Sequence, residues 1–162
     1  MNRVDKPEIV LVRGLPGSGK STFAKGMDGY LHIEADMYFE RDGRYKYAPT
    51  LVKDAHDWCV ESAYEALRTG QNVVVSNSFV KLWELQRYID LGYPFRIIEA
   101  QGRWPNIHGV PESKVQMMAQ NWEALPAAPL QPSKRPRLPP LRGSGPESYA
   151  RLMGLSFNPL FP

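Results

Sequence analysis

The chain has 162 residues, a formal net charge of +3 and a sequence pI near 9.0. This length suits one domain with a sizeable core, and the mildly basic balance permits a polyanionic partner without requiring one. The apolar runs are far shorter than the roughly 18 residues that cross a bilayer, and residues 9–12 are too few for a secretory signal. Cys59 is the only cysteine, which excludes an intramolecular disulfide. We therefore expect a cytoplasmic protein in which Cys59 is a small buried residue.

Short runs rich in β-branched residues alternate with segments of helical periodicity. Strands are predicted at residues 8–12, 30–34, 72–75 and 95–99. Helices are predicted at residues 21–27, 51–68, 82–91 and 112–125. This alternation predicts an α/β fold, in which a parallel sheet is flanked by helices and ligands bind at the carboxyl ends of the strands.

A glycine-rich turn follows the first predicted strand at once. It fits the pattern G-x-x-x-x-G-K-[ST], with an apolar strand before it and a helix after it. Glycines let backbone N–H groups point at phosphate oxygens, Lys20 can reach the β- and γ-phosphates, and the Ser21 hydroxyl can bind magnesium. The pattern predicts binding of ATP or a close relative with Mg²⁺ through Gly14, Pro16, Gly17, Ser18, Gly19, Lys20, Ser21 and Thr22.

A carboxylate, Asp36, stands just past the second predicted strand. At that place it would face the γ-phosphate across the cleft and could accept the proton of an attacking hydroxyl, as a kinase requires. Aspartate is also a favoured helix N-cap, and Glu34, two residues earlier, is a rival for the role of base. Position alone leaves these interpretations open.

Three other segments carry polar side chains that suit phosphate chemistry. Asn77 follows the third strand, where it can hydrogen-bond a metal-bound water or a substrate, or cap the next helix. Arg103 follows the fourth strand, either in a lid that neutralises the transferring phosphoryl group or in a plain surface loop. Arg41 and Arg44 alternate with tyrosines after Asp36, which suits contact with a nucleic-acid strand or a solvated loop.

The composition changes after Leu125, where the chain becomes rich in proline. We predict a domain of residues 1–125 followed by a Pro-rich basic extension of residues 126–162. Proline removes N–H donors, so we expect little regular structure in the extension. The extension lies over the domain, is partly disordered, replaces a fifth strand, or presents its cations to phosphates. Those cations are Lys134, Arg135, Arg137 and Arg142.

Together these segments resemble the polynucleotide-kinase-like P-loop proteins, a family that includes the phage 5′-hydroxyl polynucleotide kinase domain and related ATP-binding proteins. The resemblance covers most of residues 8–125. It rests on RGLPGSGKST at 13–22, DMYFERDGRY at 36–45, AHDW at 55–58, VVVSNSFVKLWEL at 73–85 and NIHGVPESKVQMMAQNW at 106–122. It implies the P-loop kinase fold with four or five parallel strands, and Asp36 as the catalytic base.

The sequence departs from the family pattern at three places. The family often has a second aspartate where this chain has Met37, and an acidic residue close to Asn77 is missing here. Pro105 takes the place of a family lid arginine, which makes Arg103 a displaced candidate for that role.

The resemblance implies ATP-dependent phosphoryl transfer to a hydroxyl on nucleic acid, with DNA rather than a membrane as the expected partner. The hydroxyl would be a 5′ end or the hydroxymethyl group of 5-hydroxymethyluracil in phage DNA, and a phage-encoded protein would act in the host cytoplasm. One alternative is an ATP-binding module or adaptor with little transfer activity, which the missing aspartate near Asn77 favours. The other is a small-metabolite kinase, which would not need a basic extension.

Overall fold

The computed structural model describes residues 5–41, 44–105 and 109–140. Strands and helices alternate along the chain, as the sequence predicts. In chain order the elements are β1 (Ile9–Arg13), α1 (Lys20–Lys25), β2 (Tyr30–Ile33), β3 (Glu40–Arg41), β4 (Arg44–Tyr45), α2 (Val52–Arg68), β5 (Asn72–Asn77), α3 (Leu82–Ile89), β6 (Phe95–Glu99) and α4 (Glu112–Gln120). Two 3-10 helices, Ala35–Phe39 and Pro49–Leu51, precede β3 and α2.

Four of the strands form a parallel sheet in the order β2-β5-β1-β6. β1 pairs with β5 on one side and with β6 on the other, so that Arg13 lies opposite both Asn77 and Glu99. β2 pairs with β5, and Ile33 lies opposite Val75. Because the strands are parallel and in this register, their carboxyl ends and the loops that follow them meet at one edge of the sheet.

The two central strands are buried because helices cover both faces of the sheet. Every residue of β1 is buried, and all of β5 after Asn72 is buried. On one face the core includes Trp58 of α2 and Leu85 of α3, and on the other Val10 and Val74 pack against Ala24 of α1. Strands that are buried on both faces consist of continuous apolar residues, and such runs in the sequence predict β1 and β5.

The longest helix, α2, confirms the predicted apolar spacing. It begins at Val52 and ends at Arg68, and Cys59 is fully buried, as expected. Burial raises the pKa of the Cys59 thiol well above its usual range. Within residues 5–41, 44–105 and 109–140, no helix has the length and hydrophobicity that crossing a lipid bilayer requires.

Two local features differ from the sequence expectations. The antiparallel hairpin of β3 and β4, with Glu40 opposite Tyr45, was not predicted, because strands of two residues are too short to show a period. α4 ends at Gln120 rather than at residue 125. After that point the chain turns back to the body of the domain, where the Glu123 N–H donates to the Val80 carbonyl (2.9 Å).

The buried side chain of Arg13 joins three parts of the fold. Its Nε and Nη2 atoms donate to the Phe79 carbonyl at 3.1 and 2.7 Å, and Nη2 also donates to the Glu123 carbonyl at 2.9 Å. The guanidinium stacks on Trp122, 3.8 Å from the ring centroid, and lies 3.5 Å from Glu99 Oε1. This Arg13 junction fixes the end of β1 to the loop after β5 and to the chain that leaves α4.

Beyond α4 the described chain continues to residue 140 without helix or strand. Leu125 and Leu130 pack against the core, and the Ser133 N–H and hydroxyl donate to Asp90 at 2.8 and 2.9 Å. The first part of the Pro-rich extension therefore lies against the end of α3, while the predicted boundary after Leu125 stays a prediction. The cations beyond it that are exposed are Lys134, Arg135 and Arg137, and Arg142 lies outside the described residues.

Candidate active site

A cavity of about 640 Å³ opens at the carboxyl edge of the sheet. It is lined by the glycine-rich turn and the start of α1, by the 3-10 helix after β2, and by the end of β5. Residues of the β3–β4 hairpin, of α2, α3 and α4, and of the loop after β6 also line it. The ends of three neighbouring strands, β1, β5 and β2, thus contribute to a single space.

The turn between β1 and α1 has the tight backbone that its glycines predict. Gly17 and Gly19 have φ values of 83° and 87°, a left-handed conformation that other residues disfavour. Gly14 lies so near Ser18 that a Cβ at position 14 would come within 2.2 Å of the serine Oγ. The Ser18 N–H donates to the Leu15 carbonyl (3.0 Å) and closes the turn. Ser18 Oγ itself is buried and has no hydrogen-bond partner among the described residues.

The loop after β6 lies directly on this turn. The Gly102 N–H donates to the Ser18 carbonyl (3.1 Å), and the Trp104 N–H donates to the Gly17 carbonyl (2.8 Å). The Trp104 ring lies against Gly19, where a Cβ would come within 2.7 Å of it, yet this side chain is 65% exposed. An aromatic face is therefore presented beside the glycine-rich turn.

Lys20 begins α1 and lines the cavity. Burial lowers the pKa of its ammonium group, and the carboxylates of Glu34 and Asp36 partly offset this effect by favouring the charged form. A cation in such partly desolvated surroundings interacts more strongly with a bound anion than it would in water.

Glu34, which directly follows β2, is buried at the centre of a polar network. The hydroxyls of Ser21 and Ser76 both donate to Glu34 Oε2, at 2.7 and 2.9 Å. His32 Nε2 lies 2.7 Å from Ser76 Oγ and 3.4 Å from Glu34 Oε2. Burial alone would raise the pKa of Glu34, but hydrogen bonds from His32, Ser21 and Ser76 outweigh it and lower the pKa to about 2. The carboxylate is therefore charged at neutral pH, and it connects the P-loop serine to β5.

Asp36 lies inside the 3-10 helix Ala35–Phe39 and not at its N-cap, which is Glu34. The Tyr45 hydroxyl donates to Asp36 Oδ1 at 2.8 Å. Burial, together with this bond to a carboxylate, raises the pKa of Tyr45. The Ala35 N–H donates to Asn77 Oδ1 at 2.9 Å, so the end of β5 holds the turn that carries Asp36.

Three aromatic residues, Phe39, Tyr45 and Tyr47, line the cavity beyond Asp36, and we call them the aromatic wall. The Phe39 ring centroid lies 6.2 Å from that of Tyr45 and 5.2 Å from that of Tyr47. Phe39 is buried, whereas the two tyrosines are 41% and 45% exposed. Lys114 of α4 completes this side, with its Nζ 5.6 Å from the Tyr47 ring centroid. The wall thus offers flat faces with a cation beside them.

The structure brings most of the predicted site residues to this cavity. Gly14 and Ser18 support the turn from buried positions, whereas Arg103 and Arg44 are exposed outside the cavity lining. The side chain of Arg41 and residues 106–108 of the predicted lid stretch lie outside the described residues. The predicted residues that line the cavity are Pro16, Gly17, Gly19, Lys20, Ser21, Thr22, Asp36 and Asn77.

Three contacts in the site were not predicted from the sequence. They are the bond from Ser21 to Glu34, the bond from Tyr45 to Asp36, and the packing of Trp104 on Gly19. A signal for the first existed, because a charged residue at the end of an apolar strand needs a partner. The other two join segments that are far apart in the sequence or belong to an unpredicted hairpin, so no local pattern marks them.

Comparison with known families identifies the domain. The family model AAA_33, described as an AAA domain, matches residues 9–107, from β1 to the loop after β6. The chain belongs to this family. The match confirms the expected P-loop kinase family, and the four-stranded parallel sheet confirms the expected fold class.

Two curated proteins resemble this AAA domain, each at 27% identity. The alignment with human (Homo sapiens) NEDD4-binding protein 2 is 140 positions long, and it covers 75% of this chain and 8% of that protein. An uncharacterized protein of Pasteurella multocida (strain Pm70) aligns over 157 residues, covering 76% of this chain and 84% of the relative. The AAA domain therefore spans only a small part of the human relative.

Solved structures share the fold at lower identity. A chain of the Pnkp1/Rnl/Hen1 RNA repair complex superposes with a TM-score of 0.55 and 18% identity, covering 72% of this chain and 44% of that one. A gluconokinase from Sinorhizobium meliloti 1021 superposes with a TM-score of 0.51 and 19% identity, covering 74% and 77%. At these identities the likeness shows the fold alone.

Proposed function

We propose that the AAA domain is an ATP-dependent kinase that transfers the γ-phosphate to a hydroxyl group on nucleic acid. The observation that carries this proposal is that Lys20 and Ser21 of the glycine-rich turn line the same cavity as Asp36. Phosphoryl transfer to a hydroxyl needs a phosphate site and a proton acceptor next to each other. A domain that only binds nucleotide does not need the second group.

The glycine-rich turn fits the phosphates of a nucleotide. Gly17 and Gly19 adopt positive φ values and line the cavity, so the backbone of the turn is open to a ligand there. Backbone N–H groups in such a turn hold phosphate oxygens, and Lys20 adds a charge close to them.

Magnesium fits the same cavity by the chemistry of the donors. Mg²⁺ prefers hard oxygen ligands, and Ser21 Oγ lies beside the Glu34 carboxylate. When bound with ATP, Mg²⁺ neutralises charge on the transferring phosphoryl group. Ser21 is the residue that we assign to hold it.

In the proposed reaction the acceptor oxygen forms a bond to the γ-phosphorus. The bond between that phosphorus and the β–γ bridging oxygen breaks, and ADP leaves. Asp36 accepts the hydroxyl proton, while Lys20 stabilises the negative charge that develops on the bridging oxygen. Tyr45 fixes the orientation of Asp36 by donating to its Oδ1. Arg103, next to the turn, is the lid residue that we assign to the charge on the γ-phosphate.

The aromatic wall supports nucleic acid as the acceptor. Exposed faces of Tyr45 and Tyr47 can stack on bases, and cations such as Lys114 and Arg44 can contact phosphates. Arg41 and Asn77 belong to the same proposed substrate contacts. The acceptor is either a 5′-hydroxyl end or the hydroxymethyl group of 5-hydroxymethyluracil in DNA, and such a base has to leave the duplex stack to reach Asp36.

The proposal is tested by following labelled γ-phosphate from ATP onto a panel of acceptors. The panel contains 5′-hydroxyl DNA, 5′-hydroxyl RNA, DNA with 5-hydroxymethyluracil, free nucleosides and gluconate. We expect labelling of one or more of the nucleic acids and none of gluconate. Transfer to gluconate or to nucleosides alone would make this a small-metabolite kinase. ATP binding without transfer to any acceptor would make it a nucleotide-binding module.

A further inference from the structure

The two strands that pair with β1 do not bring a carboxylate to the cavity. β5 ends in the uncharged Ser76 and Asn77, and β6 ends in Glu99, which lies 3.5 Å from Arg13 and outside the cavity lining. Carboxylates are nevertheless the side chains that Mg²⁺ prefers. The carboxylate that does reach Ser21 comes from one strand farther away, because Glu34 follows β2, which lies on the other side of β5.

We infer that Glu34 is the carboxylate that positions Mg²⁺ at Ser21, a role separate from that of the proposed base Asp36. This inference rests on the proposed nucleotide site. Glu34 Oε2 lies 2.7 Å from Ser21 Oγ, so an ion held by the serine is within reach of the carboxylate, either directly or through one water.

The surroundings of Glu34 hold it in place, and the charge of Lys20 favours its carboxylate through space. Its nearest hydrogen-bond partners are the neutral hydroxyls of Ser21 and Ser76, and the His32 ring nitrogen is 3.4 Å away. The side chain is only 6% exposed, so water does little to stabilise the carboxylate. Burying a charge is costly unless it is paired or binds a metal, and a dication at Ser21 would add a second cation to Lys20.

The network around Glu34 also orients the carboxylate for this role. Ser76 donates to Oε2 and in turn contacts His32 Nε2 at 2.7 Å, which fixes the side chain from β5 and β2 together. Residues such as Ser76 and His32, which hydrogen-bond to a metal-binding side chain without touching the metal, strongly affect metal affinity. Glu34 is therefore a positioning residue, and loss of its charge should weaken the metal site while the phosphate contacts of the turn persist.

The test uses Mn²⁺, which is visible by EPR, together with the non-hydrolysable analogue AMP-PNP. Mn²⁺ is titrated into wild-type protein, Glu34→Gln, and the control Glu99→Gln. Glu99 is the last residue of β6, lies opposite Arg13 at the same edge of the sheet, and is outside the cavity lining. We expect Mn²⁺ affinity to fall about 10- to 100-fold in Glu34→Gln and to stay within about twofold of wild type in the control. AMP-PNP affinity in EDTA should be close to wild type in both variants, because it depends on the turn.

Wild-type Mn²⁺ affinity in a folded Glu34→Gln protein would overturn the inference. If circular dichroism shows that this variant does not fold, the wild-type protein is labelled with ¹³C at the glutamate carboxyl groups. Pulsed EPR should then show coupling between Mn²⁺ and a ¹³C nucleus, and absence of that coupling would equally overturn the inference. Failure of the wild-type protein to bind AMP-PNP at all would instead count against the proposed function.

Discussion

Glu34 and Asp36 are two residues apart in the chain and differ in their surroundings. Glu34 is buried and receives hydrogen bonds from two serines, whereas Asp36 is partly exposed and bonded to Tyr45 of the hairpin. An acceptor hydroxyl has to approach a general base within hydrogen-bond distance. Of the two carboxylates, Asp36 has the exposure that this approach requires, and we assign proton transfer to it.

Replacing Asp36 with asparagine keeps the shape of the side chain and removes its basicity. We expect the Asp36→Asn variant to lose roughly two to four orders of magnitude in transfer rate, the usual range for a general base. Its ATP affinity should change little. Single-turnover kinetics and equilibrium ATP binding measure the two quantities, and Asp28→Asn, at an exposed position outside the cavity, is the matched control. A wild-type rate in Asp36→Asn would remove Asp36 from the chemistry.

Arg103 is exposed between two backbone contacts to the glycine-rich turn. If Arg103 contacts the γ-phosphate, whose negative charge increases in the transition state, Arg103→Ala should lower the transfer rate more than it weakens ATP binding. Arg96→Ala is the control, because Arg96 is an exposed arginine paired with Glu8 and lies outside the cavity lining. Equal rates in the Arg103 variant and the wild type would leave Arg103 as a solvated side chain.

At the scale of elements, the segment after α4 separates into two parts. Residues 121–133 pack on the core and bond to Asp90, whereas the following stretch carries exposed cations. We expect the first part to stabilise the fold and the second part to attract phosphates electrostatically.

Two shortened chains distinguish these contributions. A chain that ends after Ser133 should keep its Tm but bind DNA less tightly and with a shallower salt dependence, because fewer counterions are released. A chain that ends after Leu125 should also lose Tm, since Leu130 and the bonds to Asp90 are gone. DNA affinity across salt concentrations and thermal melting measure both effects. An unchanged salt dependence in the first chain would exclude the DNA role of the extension.

At the scale of the whole molecule, ligand binding should appear as added stability. ATP with Mg²⁺ at 100 times its Kd stabilises a folded protein by about 2.7 kcal/mol, which corresponds to a rise in Tm of roughly 5–10 °C for a domain of this size. We expect this rise in the wild type and its loss in Lys20→Ala, because Lys20 is the cation that lines the cavity at the glycine-rich turn. Lys25→Ala, with an exposed lysine on the same helix, is the control. Equal rises in Lys20→Ala and the wild type would contradict the assignment of Lys20.

More of the fold than of the candidate site could be predicted from the sequence. Local patterns in the sequence were sufficient to predict the parallel sheet. They are the apolar runs of β1 and β5 and the spacing of Trp58 and Cys59 on α2. The glycine spacing likewise placed Lys20 and Ser21. The sequence indicates that Glu34, at the end of an apolar strand, needs a partner. That this partner is Ser21 could not be predicted, because it depends on the order of strands in the sheet and on side-chain reach. The predicted length of α4 was wrong because Arg13, far away in sequence, binds the segment that follows Gln120.

The Arg13 junction gives α4 the mechanics of a lever. The helix has nine residues, none of them buried, and it is tied to the domain where Trp122 and Glu123 follow it. Nine residues at 1.5 Å each make an arm of roughly 13 Å, so a rotation of about 5° at the junction moves the far end by roughly 1 Å. Arg13 is also the last residue of β1, which leads directly into the glycine-rich turn. A shift of that turn that rotates the junction would therefore also move the Glu112 end of α4, next to Lys114 in the cavity lining.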